Sequence, residues 1–466
     1  MPTNEDVALR EQLPPDSVDQ DEAPGAEQDT DSSNEAILRH SESKRKRASV
    51  LVGQALLQLP IWGFAMSYGV FQEYFSGNWS LHGSQNITGI IGTTSNGVMY
   101  LSMPFLFALF TKRWARYRQI AALCGAALAT IGFLLSSFST DVWHLVATQG
   151  VIAALGCSLV YSPMTLSLGE WFNSSNRAVA YGVVFSCKNI VGSTCPFLFR
   201  VLLDHLSFRV TLRAWAAITA GSSVLAIALV PTHPSSLSGP GADHHGRRAI
   251  PWHFLRHRTF YIYSVATVLQ SCGYGIPQTY LNTYAKEVTQ VSQTSATLLL
   301  TLFNVPGIAS SAFFGYLSDN RHLRLSAPTV TAVSAVCSAL SAWLLWGLTS
   351  GGSMALLVLF SVTFGFFAGG YSSTWGGVMN ELEREAARWN EPVDSGMLYG
   401  LLNGARGIGY VSGGLAGVEL LKAGRDAGSV GGYGYGTSYG PLIIFTGLST
   451  VFGGWGLLWK WERLLR

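Results

Sequence analysis

The sequence predicts an all-α membrane protein with twelve transmembrane helices in two six-helix bundles. Three observations lead to this fold class. Only 12% of the 466 residues are Asp, Glu, Lys or Arg, about half of the usual share. Apolar stretches long enough to cross a bilayer recur along the chain, and one polar segment divides them six and six. Because a water-exposed surface of this size needs more charged residues than the chain has, most of the exterior must contact lipid.

The first 48 residues differ in character from the rest. They hold 12 of the 27 acidic and 6 of the 30 basic residues and are rich in polar residues and proline, which predicts a disordered cytoplasmic tail at 1–48. No cleaved signal peptide is expected, because the first apolar run begins near Ala48, behind the basic cluster at 44–47. The basic residues of the body flank apolar segments instead of lining one face, so we expect no nucleic-acid partner.

The apolar stretches define the predicted helices in order. The N-terminal bundle, 49–230, has spans at 49–75, 86–110, 119–138, 143–168, 178–203 and 210–230. A polar cytoplasmic linker at 231–258 follows. The C-terminal bundle, 259–466, has spans at 259–285, 295–317, 327–348, 354–380, 395–421 and 439–461. Each is close to the 20 or so residues that cross a bilayer, and the even number puts both termini on one side.

The distribution of Lys and Arg predicts the orientation. With the termini inside, 21 of these residues fall on the cytoplasmic side and six on the other, as the positive-inside rule requires. We therefore expect a multi-pass protein, in the plasma membrane, with both termini cytoplasmic. Sequons at Asn78 and Asn86 then lie on the outer side, which predicts a glycoprotein modified at these two positions.

An internal repeat relates the two halves. A shift of 218 residues places 170–190 over 388–408, so that Trp171 meets Trp389 and Lys188 meets Arg406. Parallel repeats of this kind are typical of transporters that bind a small molecule between two bundles near the middle of the membrane.

Lys188 and Arg406 lie about halfway along their predicted spans. A charge at that depth costs about 2.5–3.5 kcal/mol, which excludes a lipid-facing position. No Asp or Glu lies in the middle third of any span, so the two cations favour an anionic ligand in a cavity between the bundles. The alternative left open is that backbone carbonyls or polar neighbours hold each cation and that both only support packing.

Further polar residues within the spans are candidates for the same site. The predicted substrate-binding set is Lys188, Arg406, Asn189, Tyr68, Gln72, Asn304 and Asn403. Other candidates for the cavity wall are Asn96, Tyr100, Tyr161, Gln270, Tyr274, Gln278 and Trp375. Each of them could equally form an interhelical hydrogen bond. Gly409, Gly413 and Gly417, spaced four apart, predict a close helix contact along 395–421.

The sequence favours neither an enzyme nor a cofactor protein. The six cysteines lie in apolar runs without CxxC or metal-ligand spacing, and the histidines of the linker suit a solvated loop. No phosphate-binding GxxxxGK[ST] loop and no paired acids within the spans occur. We therefore expect no metal, no cofactor and no ATP coupling.

The chain after residue 48 resembles the major facilitator superfamily, and in particular its fungal monocarboxylate-porter-like branch. The motifs that carry the resemblance are Ser67–Phe71 in the first span, Gly156, Pro163, Trp171-Phe172, Arg177-Ala178, Ala180, Gly182 and Gly192 around the fifth, and the Gly-xxx-Asp-x-Arg loop from Gly315 to Arg321. The resemblance implies the major facilitator fold, a monomer acting on a small molecule in the lipid bilayer, and a cytoplasmic gate held by Asp319 and Arg321.

The same resemblance has limits that concern the substrate. The family's carriers have a lysine in the first helix where this chain has Gln72, and an acid and an arginine in the eighth, where 295–317 has no charge. Lactate-type proton symport therefore does not follow. We expect a secondary active or facilitative transporter of an organic anion or carboxylated metabolite, working by alternating access, with proton coupling left open. The alternatives are an exporter of a neutral secondary metabolite or drug-like compound, and a non-transporting sensor of the same fold.

Overall fold

Helices follow one another along almost all of the described chain. The computed structural model describes residues 26–78, 81–82, 87–111, 114–172, 174–232, 252–319, 325–351, 353–428 and 433–459. The chain divides into two compact units, Met1–Lys46 and Arg47–Arg466. The first helix begins at Ala26, so the last part of the tail that the sequence predicts to be disordered is helical here. The second unit contains all of the features discussed below.

The first half of the chain contains six long helical segments. They are α1 (Ala26–Gly77), α2 (Gly89–Thr111), α3 (Arg118–Ser136), α4 (Val142–Leu145, a π-helical Val146–Ala153 and Ala154–Trp171), α5 (Ser174–His205) and α6 (Phe208–Ala228). Each overlaps one of the six predicted spans. A short 3₁₀ turn at Ala115–Tyr117 precedes α3.

The second half repeats this arrangement with six more segments. They are α7 (Arg258–Glu287), α8 (Gln293–Asn304 and Pro306–Asp319), α9 (Ala327–Leu340 and a π-helical Ser341–Trp346), α10 (Met354–Gly370, a 3₁₀ turn Tyr371–Thr374 and Trp375–Ala387), α11 (Ser395–Asp426) and α12 (Gly440–Phe452). Each again overlaps a predicted span, and the predicted fold class is confirmed. The domain boundaries at 48, 230 and 258 stay predictions.

Three of the twelve segments lack a continuous stretch as apolar as a typical membrane span. Within the described residues, nine helices are long and apolar enough to cross a membrane, and α2, α7 and α11 are not among them. These three pack on one another, with α11 against both α2 and α7, and most of their residues are buried. A helix that is mostly buried in protein needs less lipid-compatible surface, so it can carry more polar and small residues.

Close contacts between helices join the halves, and two pairs show how they pack. One is α2 with α11, where glycines let the backbones approach, and a Cβ added to Gly407 would lie 2.5 Å from the backbone nitrogen of Leu101. Another is α5 with α8, where Thr301 donates to the carbonyl of Ser193 at 2.8 Å. Gly409, Gly413 and Gly417, singled out in the sequence, face α7 instead. Close backbone contact at small residues is how membrane helices pack.

The break in α8 lies at the level of the cavity described below. Pro306 has no backbone N–H and starts the second part of the helix, so the hydrogen-bond ladder is interrupted there. Asn304, just before the break, donates through its amide to the carbonyls of Leu300 and Gly192, both at 2.9 Å. The second of these bonds reaches α5, so the break is tied to the other half.

Candidate functional site

A cavity of about 100 Å³ lies between the two halves. Its wall has 23 residues, which come from α1, α2, α4 and α5 in the first half and from α7, α8, α10 and α11 in the second. Nine are aromatic, five are Asn or Gln, three are Ser, three are Gly and one is Met; the other two are Lys188 and Arg406. The cavity therefore contains both cations that the repeat aligns.

Lys188 enters the cavity from α5 and contacts aromatic residues of the first half. Its Nζ lies 3.7 Å from the centroid of the Trp62 ring and donates to the hydroxyl of Tyr100 at 3.4 Å. An ammonium group over an aromatic face is attracted by the negative charge density of the ring. The lysine is half-buried, so it is held without being enclosed.

Arg406 enters from α11 and is surrounded by tyrosines. Its Cζ lies 5.1 Å from the ring centroid of Tyr100, 5.3 Å from that of Tyr274 and 5.8 Å from that of Tyr410. Tyr100 and Tyr410 stack with centroids 5.6 Å apart and planes at 20°. Tyr100 thus contacts both cations, and one aromatic cluster holds a positive charge from each half.

The cations have no acidic partner within the part of the chain that the structure describes. None of the ion pairs found there involves Lys188 or Arg406. Aromatic faces stabilise a cation by about 0.5–2 kcal/mol but do not neutralise it. Two basic side chains without an acidic partner therefore share a small space, where an anion gains more from a positive charge than it would in water.

Three buried donor atoms in the wall lack a protein acceptor. They are the Nε of Arg406 and the Nε1 atoms of Trp62 and Trp375, and all three residues are at most 7% exposed. The unpartnered buried atoms of the described wall residues are all donors. A buried donor without an acceptor costs roughly 1–3 kcal/mol, so a ligand rich in acceptor atoms would remove that cost.

Most of the sequence-predicted residues are brought together in this wall. Asn189, Asn304 and Asn403 line it. The further candidates that line it are Asn96, Tyr100, Tyr161, Tyr274, Gln278 and Trp375. Asn304 also forms the interhelical bond described above. The sequence could not separate the two roles of such a residue, and here one side chain has both.

Three candidates lie elsewhere. Tyr68 donates to the carbonyl of Thr88 at 2.5 Å, Gln270 bonds the carbonyl of Ala368 at 3.5 Å, and Gln72 is buried outside the wall. The helical period explains Tyr68. Met66 lines the cavity, and two further residues turn the helix by about 200°, which puts Tyr68 on the other side of α1.

Sequence reasoning missed several aromatic wall residues, namely Trp62, Phe185, Phe303, Tyr399 and Tyr410. Part of the signal was available on α11, where Tyr399, Asn403, Arg406 and Tyr410 follow the i, i+4, i+7, i+11 spacing of one helix face. For the others there was none, because Trp and Phe occur on lipid-facing and core positions alike.

A second group of charges links the two halves at one end of the helices. This end, which includes the α1–α2 connection at 78–88, is called the outer end here. Glu73 of α1 is fully buried and pairs with Arg200 of α5. Its Oε1 also accepts from Lys286 of α7 at 2.5 Å and from Gln293 of α8 at 3.3 Å. One carboxylate thus contacts both halves. We name Glu73, Arg200, Lys286 and Gln293 the outer cluster.

Several other predicted positions are not tested. The side chain of Asp319, all of Arg321 and all of Asn86 lie outside the described residues. Asn78 is described and exposed at the end of α1, but the rest of its sequon is not described. The six cysteines are free thiols, and the described residues contain no group of three His, Cys, Asp or Glu that could hold a metal ion.

Comparison with known proteins agrees with this architecture. The family model of the Major Facilitator Superfamily matches residues 50–414. A "MFS-type transporter" of Gibberella moniliformis is 27% identical over 308 residues, which cover 66% of this chain and 70% of the relative. "MFS-type transporter pynF" of Aspergillus niger is 23% identical, over 80% of this chain and 81% of the relative.

Two further similarities point the same way. "Monocarboxylate transporter 12" of Xenopus laevis is 28% identical over 274 residues, which cover 54% of this chain and 58% of the relative. The resemblance to a fungal monocarboxylate-porter-like branch is thereby confirmed. Among solved structures, a point mutant of the nucleoside transporter NupG matches with a TM-score of 0.66 and 13% identity, over 89% of this chain and 99% of that chain. At that identity the likeness concerns the fold alone.

Proposed function

Because the chain belongs to the Major Facilitator Superfamily and is a multi-pass membrane transporter of small molecules, we propose that its cargo is an organic anion or carboxylated metabolite, carried by alternating access. The observation that supports this cargo is the pair Lys188 and Arg406, one from each half, in one cavity without an acid among the described wall residues. A neutral cargo would leave both charges unneutralised in a small, largely buried space.

The roles follow from the contacts. The guanidinium of Arg406 suits a carboxylate, which it can bind with two parallel hydrogen bonds. Lys188 adds a second charge from the other half. The N–H groups of Trp62 and Trp375 are further donors to the anion. Contacts with both halves at once favour closure of the halves around the cargo, because the bound anion is attracted to each of them.

The outer cluster gives the proposed cycle one of its gates. Lys286 and Gln293 belong to the second half and Glu73 to the first, so the outer end opens only when their contacts break. The inner gate predicted from the resemblance, Asp319 with Arg321, remains a proposal. We also propose a monomer in the plasma membrane with both termini cytoplasmic. The distribution of basic residues supports the cytoplasmic position of the termini.

Counterflow in proteoliposomes tests the cargo. The purified chain is reconstituted, and a panel of carboxylates and their neutral amides is compared, first with the parent and then with Lys188→Gln and Arg406→Gln. A charged hydrogen bond contributes about 1.5–3 kcal/mol, so each substitution should weaken carboxylate binding roughly tenfold to a hundredfold. Lys422→Gln and Arg388→Gln, at exposed positions outside the cavity wall, are the matched controls and should behave as the parent does.

Three results would contradict the proposal. Carboxylate counterflow that is unchanged in both cavity variants would show that the cations do not bind the cargo. Preference for the neutral amides in the parent would favour the neutral-cargo alternative. Absence of flux for every compound, from a protein that remains monodisperse after reconstitution, would favour a sensor.

A further inference from the structure

The apolar residues in the wall of the cavity are of an unusual kind. Nine of its 23 residues are aromatic, one is Met, and none is Leu, Ile or Val. In the whole chain only 12% of residues are aromatic, and aliphatic residues dominate the spans. An aliphatic cargo would be matched by aliphatic side chains, whereas aromatic rings interact best with other flat π-systems. The composition of the wall therefore carries information about the cargo beyond its charge.

The rings present both faces and edges around the cations. Tyr100 and Tyr410 are stacked, whereas Tyr274 meets Tyr410 at 86° with centroids 6.2 Å apart. On the other side of the wall, Trp375 and Tyr399 meet at 69° and 5.9 Å. Rings in these orientations can receive a further ring either by stacking or edge to face.

Space for the uncharged end of a cargo lies on α10. At Gly369 an added Cβ would meet no atom closer than 3.9 Å, so packing does not require glycine there. Four residues earlier, at Gly365, an added Cβ would overlap the carbonyl oxygen of Phe303, so that glycine is needed for the contact of α10 with α8. Gly369 thus lines the cavity, and it leaves open a volume that any larger side chain at this position would fill.

We propose that the cargo is a flat aromatic or conjugated carboxylate of about the size of a single ring. Its carboxylate binds Lys188 and Arg406, its ring packs among the wall tyrosines and tryptophans, and its far edge occupies the space beside Gly369. This inference rests on the proposed function, since it takes the anion as given and adds what the anion carries.

A pair of compounds isolates the ring. Benzoate and cyclohexanecarboxylate have the same charge and a six-membered ring, and they differ in aromaticity and flatness. Their half-inhibitory concentrations are measured against counterflow in proteoliposomes that contain the full chain. Aromatic pairs gain affinity beyond their buried area, so benzoate should compete about threefold to tenfold better than cyclohexanecarboxylate.

Substitutions then locate the ring. Tyr410→Phe keeps the stacked ring and should keep the preference for benzoate, whereas Tyr410→Leu should reduce it to near unity. Gly369→Leu should raise the half-inhibitory concentration of benzoate at least tenfold and that of acetate less than twofold, because the leucine side chain fills the space that only the ring needs. Gly376→Leu is the matched control, because this glycine of α10 is exposed, lies outside the wall and has no atom within 4 Å of an added Cβ.

The outcomes separate this inference from the proposed function. Equal competition by the two compounds in the parent, with flux still dependent on Lys188 and Arg406, would overturn the aromatic cargo and leave the anion carrier in place. Failure of both compounds and of all other carboxylates would overturn both. The comparison of ligands uses the unaltered protein, so it decides the question even if a variant does not fold.

Discussion

Removal of the positive charge of Lys286 should open the outer end of the protein. Lys286→Gln deletes the ion pair that joins α7 to Glu73 across the halves. Arg200 and Glu73 both belong to the first half, so their own pair is kept when the halves separate and does not oppose opening. Glu73 therefore keeps one charged partner in the variant, and the substitution acts on the contact between the halves.

The size of the effect follows from the burial of the two partners. An exposed ion pair contributes at most about 1 kcal/mol, and breaking a buried one costs about 3–5 kcal/mol. Glu73 is fully buried and the side chain of Lys286 is 33% exposed, which places this pair between the two limits, at about 1–2 kcal/mol. The ratio of outer-open to outer-closed molecules should thus rise about fivefold to thirtyfold.

Hydrogen–deuterium exchange measures this shift without a reporter group. Peptides from the outer ends of α1 and α7 should exchange faster in Lys286→Gln than in the parent, while peptides from the middle of α3 should be unchanged. Lys422→Gln, which removes an exposed charge near the outer end of α11, is the control and should match the parent. If the outer ends of Lys286→Gln exchange at the same rate as those of the parent, the gating role of Lys286 is refuted.

Glu73→Gln provides an internal check on this reasoning. It removes the same contact between the halves. In addition, among the described residues it leaves the buried Arg200 with Asp204 as its only acidic partner, and Asp204 lies 3.4 Å away and is half exposed. Its outer ends should exchange faster than those of Lys286→Gln, and its thermal stability should fall as well. A smaller effect than that of Lys286→Gln would show that Glu73 is not the centre of the cluster.

Two further predictions concern packing and orientation. Gly407→Ala should lower the melting temperature and the transport rate, because the new Cβ would lie 2.5 Å from a backbone nitrogen of α2 and overpacking costs about 1–3 kcal/mol. The control Gly182→Ala should be tolerated, because no atom lies within 4 Å of its added Cβ. Equal stability of the two variants would contradict the close contact between α2 and α11. Asn78→Gln should reduce the glycosidase-sensitive shift on gels of protein expressed in a eukaryotic host and leave the part that is due to Asn86. A parent without any such shift would count against an outer location of the α1–α2 connection.

The helices could be predicted because their physical cause is local. A lipid-exposed helix must be apolar over its whole length, so each span is visible in one stretch of sequence. Even α2, α7 and α11 could be predicted, although most of their residues are buried in protein, because they keep the required length. Lys188 and Arg406 could be predicted for a related reason, since a charge at the middle of a span has so few tolerable positions.

The aromatic surroundings and the outer cluster depend on packing between distant helices and could not be predicted. Glu73, Arg200 and Lys286 each looked like an ordinary charge near the end of a span. Their contact becomes evident only once α1, α5 and α7 are known to converge. The same limit explains Tyr68, which has the residue type expected of a site but faces away from the cavity.

The aromatic surroundings also explain how two cations can remain inside a membrane protein and still be available to a cargo. A carboxylate partner would neutralise each cation, but the cargo would then have to displace it and leave it buried without a partner, at a cost of several kcal/mol. An aromatic face stabilises a cation less, by about 0.5–2 kcal/mol, and stays next to it when an anion binds at another side. Because Trp62 and Tyr100 hold Lys188 in this way, and tyrosines hold Arg406, the charge of the cavity is retained for the ligand.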